Sequence, residues 1–384
     1  MNSVFFRLLM IRSLFFVVVF LYIVLIFAMA GGSALAQATN PSSIDPGRLE
    51  RQFEDRIEPR VAPEEIVKPI EEEKKEGDSE VKFMLSGIRL SGNEVIGEGE
   101  ISPSYQEYIG KEVSFNTLNK IASIITEKYK EAGFILARAY IPPQKVEEGI
   151  VEIKIVEGFI DKVTVDGEVL GSRALLDSFI SKIQASRPLK ASILERYMLL
   201  MDDLPGVTAR GLLRPSEKTV GAADLVITIK HERTELSFEA NNRGTRYLGP
   251  YQFTSIVRAN SWLERYDKTY VRFVTVNQSE ELKFIDVYHS EPVGTEGATV
   301  SASIIRSNSQ PGSTLKSSGL DSENVSIDTE YSHPFIRSRE QNFFGRVGAS
   351  YRETSTTSNG APLTDDSVRV VRVGGQYDVV DSFD

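Results

Sequence analysis

The sequence has no cysteine, which excludes disulfides, thiol catalysis and thiolate metal sites. Histidine is scarce: His231, His289 and His333 stand far apart, none at ligand spacing from a carboxylate cluster, and they read as turn or interface residues. A cationic surplus is missing too. Lys and Arg number 44 against 54 Asp and Glu, and a net charge of -10 argues against nucleic acid as a partner. After the N-terminus no stretch approaches the roughly eighteen consecutive apolar residues of a spanning helix, so any later membrane crossing falls to β-strands. There is no phosphate-cradling glycine loop, G-x-S-x-G elbow or zinc helix. Asp202-Asp203 closes a helix with its carboxylates pointing apart, a poor acid/base pair. No catalytic residue, metal or cofactor is assigned, and the chain reads as a non-enzyme.

At the N-terminus Arg7 and Arg12 flank the apolar run Leu14 to Ala28, followed by small residues and Ala34-Leu35-Ala36. This predicts a secretory signal over 1–36, cut between Ala36 and Gln37. Residues 37–80 are rich in Pro and Glu, end in EEEKKEGDSE, and read as a disordered linker unable to bury a core of its own. Within them Gly47 to Arg56 (GRLERQFEDR) predicts one short charged helix.

Residues 81–158 predict a strand at Phe83 to Leu90, a short helix at Pro103 to Ile109 and a longer one at Phe115 to Glu131. In the longer helix Leu118, Ile121, Ile124, Ile125 and Tyr129 recur at helical spacing, with Gly133 just past its end. Ala137 to Ile141 and Ile150 to Val156 alternate with period two around a Pro-Pro turn and predict a hairpin. Residues 159–232 repeat the plan: a strand from Phe159, helices at Ala174 to Ile183 and Leu189 to Leu204, and strands at Val207 to Arg214 and Ala223 to Ile229. From Thr234 onward about eight strands alternate apolar and polar residues over lengths that suit a transmembrane barrel, and by alternation alone equally a soluble β-sandwich. Tyr251, Phe253, Val257 and Ala259 oppose Gln252, Thr254, Arg258 and Asn260, with Ile256 breaking the pattern. Short turns at Ser290 to Gly297 and Ser332 to Gln341 alternate with longer polar loops at Ser307 to Ser322 and Glu353 to Asp366.

The order strand, helix, helix, strand, strand, with YIPPQ, EEG and the closing VEG in Gly133 to Gly158, resembles a POTRA module, the periplasmic docking unit of outer-membrane transporters. LPG followed by LRPSEKTVGAADLVITI looks like a second one. NNRGTRYLGPYQ (Asn241 to Gln252) and EPVGTEG (Glu291 to Gly297) are similar to the first barrel loop and second turn of the haemolysin secretion and activation family, the transporters of two-partner secretion. The resemblance implies an α+β fold of two tandem β-α-α-β-β POTRA modules, 81–158 and 159–232, followed over 233–384 by an antiparallel transmembrane β-barrel of which about the N-terminal half is present.

By the same resemblance the helix carrying Arg48, Arg51, Glu54 and Arg56 plugs the pore. An extended client adds to the edge strand and groove formed by Leu136, Ala137, Arg138, Ala139, Tyr140 and Ile141. The implied client is a large secreted β-helical exoprotein with an N-terminal secretion domain. The other implied partners are outer-membrane lipid and, for insertion, the barrel-assembly machinery, and the protein itself is expected to be monomeric in a Gram-negative outer membrane. The alternatives are a barrel-assembly insertase and a non-conducting periplasmic adaptor.

Overall fold

A computed structural model describes Phe53 and residues 66–68, 82–219 and 221–380. The expected signal segment, its cut at Ala36 and Gln37, and Arg48, Arg51, Glu54 and Arg56 lie outside the described residues.

In chain order the elements begin with β1 (Val67–Lys68), β2 (Lys82–Met84), β3 (Gly87–Ser91), α1 (Glu98–Ile101), β4 (Glu112–Ser114), α2 (Phe115–Glu131), β5 (Arg138–Tyr140) and β6 (Ile150–Val156). The expected strand at Phe83 to Leu90 is broken between Met84 and Gly87: its first part pairs with β4, while β3, β6 and β5 form a separate sheet in that order. The expected helix near Pro103 is instead α1 followed by two 3-10 turns, Ser102–Ser104 and Gln106–Tyr108. Helix α2 occupies the span its periodicity predicts. Ser114 caps its N-terminus, accepting from the Thr117 N–H at 3.3 Å, and Gly133 takes φ +87° beyond its end. Leu118, Ile121, Ile125 and Tyr129 are buried against Val151, Ile153 and Ile155 of β6, whereas Ile124 is exposed.

The second module holds β7 (Phe159–Gly167), α3 (Arg173–Ala185), α4 (Ala191–Asp202), β8 (Val207–Pro215) and β9 (Ala222–His231). Its plan matches the first: β7 runs parallel to β9 as β3 does to β6, and β8 antiparallel to β9 as β5 does to β6. One strand was not expected. β1, from the Pro- and Glu-rich linker, pairs in parallel with the outer side of β8, giving the order β1-β8-β9-β7. Ile66 beside it is buried in the second module's core. The composition of 37–80 is too polar for a core of its own, yet one Ile-Val pair suffices to add a strand to a core built elsewhere.

The remaining strands are β10 (Thr234–Asn241), β11 (Gln252–Asn260), β12 (Lys268–Val276), β13 (Lys283–Val293), β14 (Ala298–Ser309), β15 (Leu320–Arg337), β16 (Gln341–Ser358) and β17 (Ala361–Val379). They form one eight-stranded antiparallel sheet in sequence order, and β10 and β17 do not pair with each other, so the sheet is not closed. The last three strands are longer than their alternation suggests. The expected polar loop at 353–366 is mostly strand, closed by a tight turn at Asn359-Gly360 with φ of +48° and +78°. Its Thr and Ser residues are β-branched or small and pair across the extended hairpin, so polarity alone did not mark a loop.

Candidate functional site

Alternation places every second residue of the eight-stranded sheet on one face. Across the outward face the register aligns Leu236, Val257, Val271, Val287, Ile304, Ile327 and Tyr351 into one apolar row spanning seven strands. Most of these side chains are strongly exposed, Leu236 at 78% and Ile304 at 55%. So wide an apolar band cannot face water stably. The inward row one residue away reads Ile256, Arg272, Asp286, Ile305, Ser326 and Arg352. Ser322, Asn324, Ser326 and Thr356, also inward, are buried, and their hydroxyls and amides bond one another, with Ser322 Oγ and Thr356 Oγ1 2.9 Å apart. The wall is therefore apolar outside and polar inside.

At the end of the sheet far from the second module this polar lining gives way to Val274, Val276, Leu282, Phe284 and Ile305. Phe53, from the predicted charged helix, packs here. Its ring lies 4.9 Å from that of Phe284, and its carbonyl accepts from Arg272. Arg272 is itself buried, beside Asp286 at 4.0 Å and over the Tyr270 ring at 5.2 Å. Tyr247 and Leu248 of the loop after β10, and Leu315 of the loop after β14, complete the apolar seat, with the Gly312 N–H donating to the Tyr247 carbonyl at 2.7 Å. Sequence reasoning dwelt on the charges of this helix; the signal for the seat was its one aromatic residue.

In the first module β5 is an edge strand, bonded to β6 on one side. The Ala139 N–H donates to Thr126 Oγ1 of α2 at 3.0 Å, and the Thr126 hydroxyl donates to the Ala122 carbonyl at 2.9 Å. The middle N–H of β5 is thus already used within the module. Of the six residues expected at this edge, Arg138 is exposed, Tyr140 and Ile141 are half-buried, and Ala137 and Ala139 belong to the module's own core. Leu136 does not line a groove with them. It packs against the second module's core beside Gly158, where any Cβ would fall 2.6 Å from Leu136 Cβ.

Three successive turns at the sheet's near end dock the second module. Tyr266, at φ +59° in the turn between β11 and β12, is fully buried in that module's core. It lies on Gly171, where a Cβ would come within 2.5 Å of the ring, and stacks on His231 at 6.1 Å. Burial pushes its hydroxyl up to about 12. Glu296, in the turn between β13 and β14, receives Lys182, Arg196 at 3.5 Å and the Tyr197 hydroxyl at 3.3 Å. Burial raises its pKa, but these partners outweigh burial and hold the carboxyl below its ordinary value. Arg337, 3% exposed at the end of β15, grips both oxygens of Asp203 at 2.7 and 2.9 Å. Asp202 points elsewhere, to the Ala209 N–H and Arg210, so the adjacent acids serve separate contacts.

The histidines stay apart. His289 Nδ1 meets Thr269 Oγ1 at 2.8 Å, His333 lies against Phe335, and His231 against Tyr266. Among the described residues no cluster of three or more His, Cys, Asp or Glu could hold a metal.

Residues 83–158 match the POTRA domain, ShlB-type, family. Over 250 residues the chain is 28% identical to the heme/hemopexin transporter protein HuxB of Haemophilus influenzae, covering 61% of this chain and 43% of that protein. It is 21% identical over 190 residues to the outer membrane transporter CdiB of Escherichia coli, covering 50% and 32%. The chain thus spans less than half the length of these relatives. Among solved structures, CdiB from Escherichia coli superposes with a TM-score of 0.62 at 17% identity, over 84% of this chain and 60% of that one. CdiB from Acinetobacter baumannii gives 0.51 at 14% identity, over 88% and 65%. Residues 83–158 thus match a ShlB-type POTRA domain, the antiparallel sheet that follows has the fold seen in CdiB, and the chain is similar in sequence to the transporters HuxB and CdiB.

Proposed function

We propose that the protein carries a large partner exoprotein from the periplasm to the cell surface of a Gram-negative bacterium and has no catalytic activity of its own. One observation carries this reading: a ShlB-type POTRA domain precedes an antiparallel sheet whose outer face is a continuous apolar band and whose inner face is polar. Lipid would cover the band, and an extended polypeptide would pass along the polar wall. The proposal includes a cleaved signal over 1–36, two POTRA modules over 81–158 and 159–232 in the periplasm, and a barrel portion from 233. Insertion would go through the barrel-assembly machinery, and the protein would act as a monomer.

The client would be engaged first at the edge of β5 and the exposed side of α2. Because Thr126 already occupies the Ala139 N–H, a strand added there has to displace that bond or pair through the carbonyls and flanking residues. Phe53 would hold the helix around it as a plug in the lumen.

The test is whether a reading frame beside this gene encodes a very large exported protein, and whether that protein's appearance in the medium differs between cells with and without the transporter gene. Export that depends on the gene, and is lost on deleting the first POTRA module, supports the proposal. Surface delivery that continues without the gene overturns it.

A further inference from the structure

The turn between β11 and β12 has a fixed shape. The Ser261 N–H donates to the Asp267 carbonyl at 2.6 Å, the Glu264 N–H to the Ser261 carbonyl at 3.1 Å, and the Leu263 N–H to Asp267 Oδ1 at 2.9 Å. Asp267 is fully buried, and Ser261, Glu264 and Tyr266 take φ of +55°, +57° and +59°, values that residues other than glycine hold only where the surrounding structure imposes them. So held, the turn sends its large side chains two ways. Tyr266 enters the core of the second module, while Trp262 and Leu263 stay outside it, 73% and 53% exposed.

Docking does not explain this exposed pair. Tyr266 already supplies the contact with the module, and neither Trp262 nor Leu263 packs in an apolar cluster of the described residues. Their place in the fold says what covers them. The two strands that the turn joins carry Val257, Val271 and Phe273 on the outward face, all exposed, in or beside the apolar band. The pair continues that band at its near end, on the side of the second module. Indole has an apolar ring and one N–H donor, so it is most stable at the boundary between acyl chains and headgroups, where the ring is covered and the N–H still finds polar partners. Leu263 beside it adds apolar area to bury.

We propose that Trp262 and Leu263 form a membrane anchor, inserted at the headgroup–acyl boundary of the phospholipid leaflet on the second module's side, which the transport reading makes the periplasmic one. The turn then has one side in the module, through Tyr266, and the other in the leaflet. The inference rests on the reading of the outward band as lipid-covered, and the experiment separates the two.

Trp262 is the one tryptophan in the chain and serves as its own probe. The protein is reconstituted into phosphatidylcholine vesicles whose acyl chains are brominated close to the headgroup, and quenching by the bromines is compared with quenching by aqueous iodide. Trp262 should emit to the blue of free tryptophan, lose most of its intensity to the brominated lipid and little to iodide. A second protein, Trp262→Phe with Ile304→Trp, moves the probe to the middle of the apolar band and should be quenched by bromines placed near the chain ends. If Ile304→Trp is quenched by brominated lipid while Trp262 responds to iodide alone, the anchor is overturned and the lipid-covered band stands. If brominated lipid quenches neither, both fall. Trp262 that becomes shielded from iodide in phospholipid-free detergent as protein concentration rises, and not on adding lipid, assigns the patch to a second copy of the chain and likewise overturns the anchor.

Discussion

Replacing Phe53 by alanine tests whether an aromatic anchor holds the predicted charged helix in the lumen. Full burial of a phenylalanine side chain contributes about 1.5–3 kcal/mol, and an aromatic pair adds about 0.5–1.5 kcal/mol. Phe53 is partly buried and makes one such pair, with Phe284 at a centroid distance of 4.9 Å. The expected loss is therefore about 2 kcal/mol, roughly a thirtyfold rise in the unseated population at 1.4 kcal/mol per tenfold. The carbonyl bond from Arg272 survives the substitution, since it uses the backbone. Val274 is fully buried in the same cluster and serves as reporter: as cysteine, in a chain with no other, it reacts with a maleimide only when the seat opens. Its labelling rate should rise by about the same thirtyfold factor in Phe53→Ala, and Phe53→Leu should fall between. Equal labelling of Val274→Cys with and without Phe53 would show that the aromatic side chain does not hold the seat.

Other expectations follow from the contacts. Asp203→Asn breaks a bidentate pair with a nearly buried arginine and should destabilise the joint between the second module and the sheet by about 3 kcal/mol, seen as a lower thermal midpoint; the swap Asp203→Arg with Arg337→Asp should recover most of it. Thr126→Val leaves the Ala139 N–H without its acceptor and should cost about 1–3 kcal/mol, with faster hydrogen exchange at Ala139 as the specific readout. His231 has its pKa lowered by burial first and then by Arg233, against a smaller opposing pull from Glu168. The folded state therefore binds the proton less well than the unfolded chain. The joint should lose stability as pH falls below the ordinary histidine value, and His231→Gln should flatten that part of the pH profile. A slope unchanged by the substitution would exclude His231 as its source.

Much of the architecture was legible in the sequence because its signals are local. Helix α2 declared itself through apolar residues at helical spacing and a glycine just past its end, and β6 through strict alternation, both at the boundaries the structure has. Alternation also separated the outward from the inward face of the sheet, since a side-chain period of two is a property of the strand itself. Composition alone excluded disulfides and thiol chemistry. What the sequence could not decide was which distant groups meet. Asp203 and Arg337 are separated by more than a hundred residues, as are Lys182 and Glu296, and nothing in either neighbourhood marks the other. Leu136 looked like groove lining and packs against the other module's core; Val67 and Lys68 looked like linker and form a strand, with Ile66 beside them buried. In each case the deciding quantity is the free energy of burying a side chain or satisfying a backbone group against a surface assembled from elsewhere in the chain. That surface exists only once the modules and the sheet have come together.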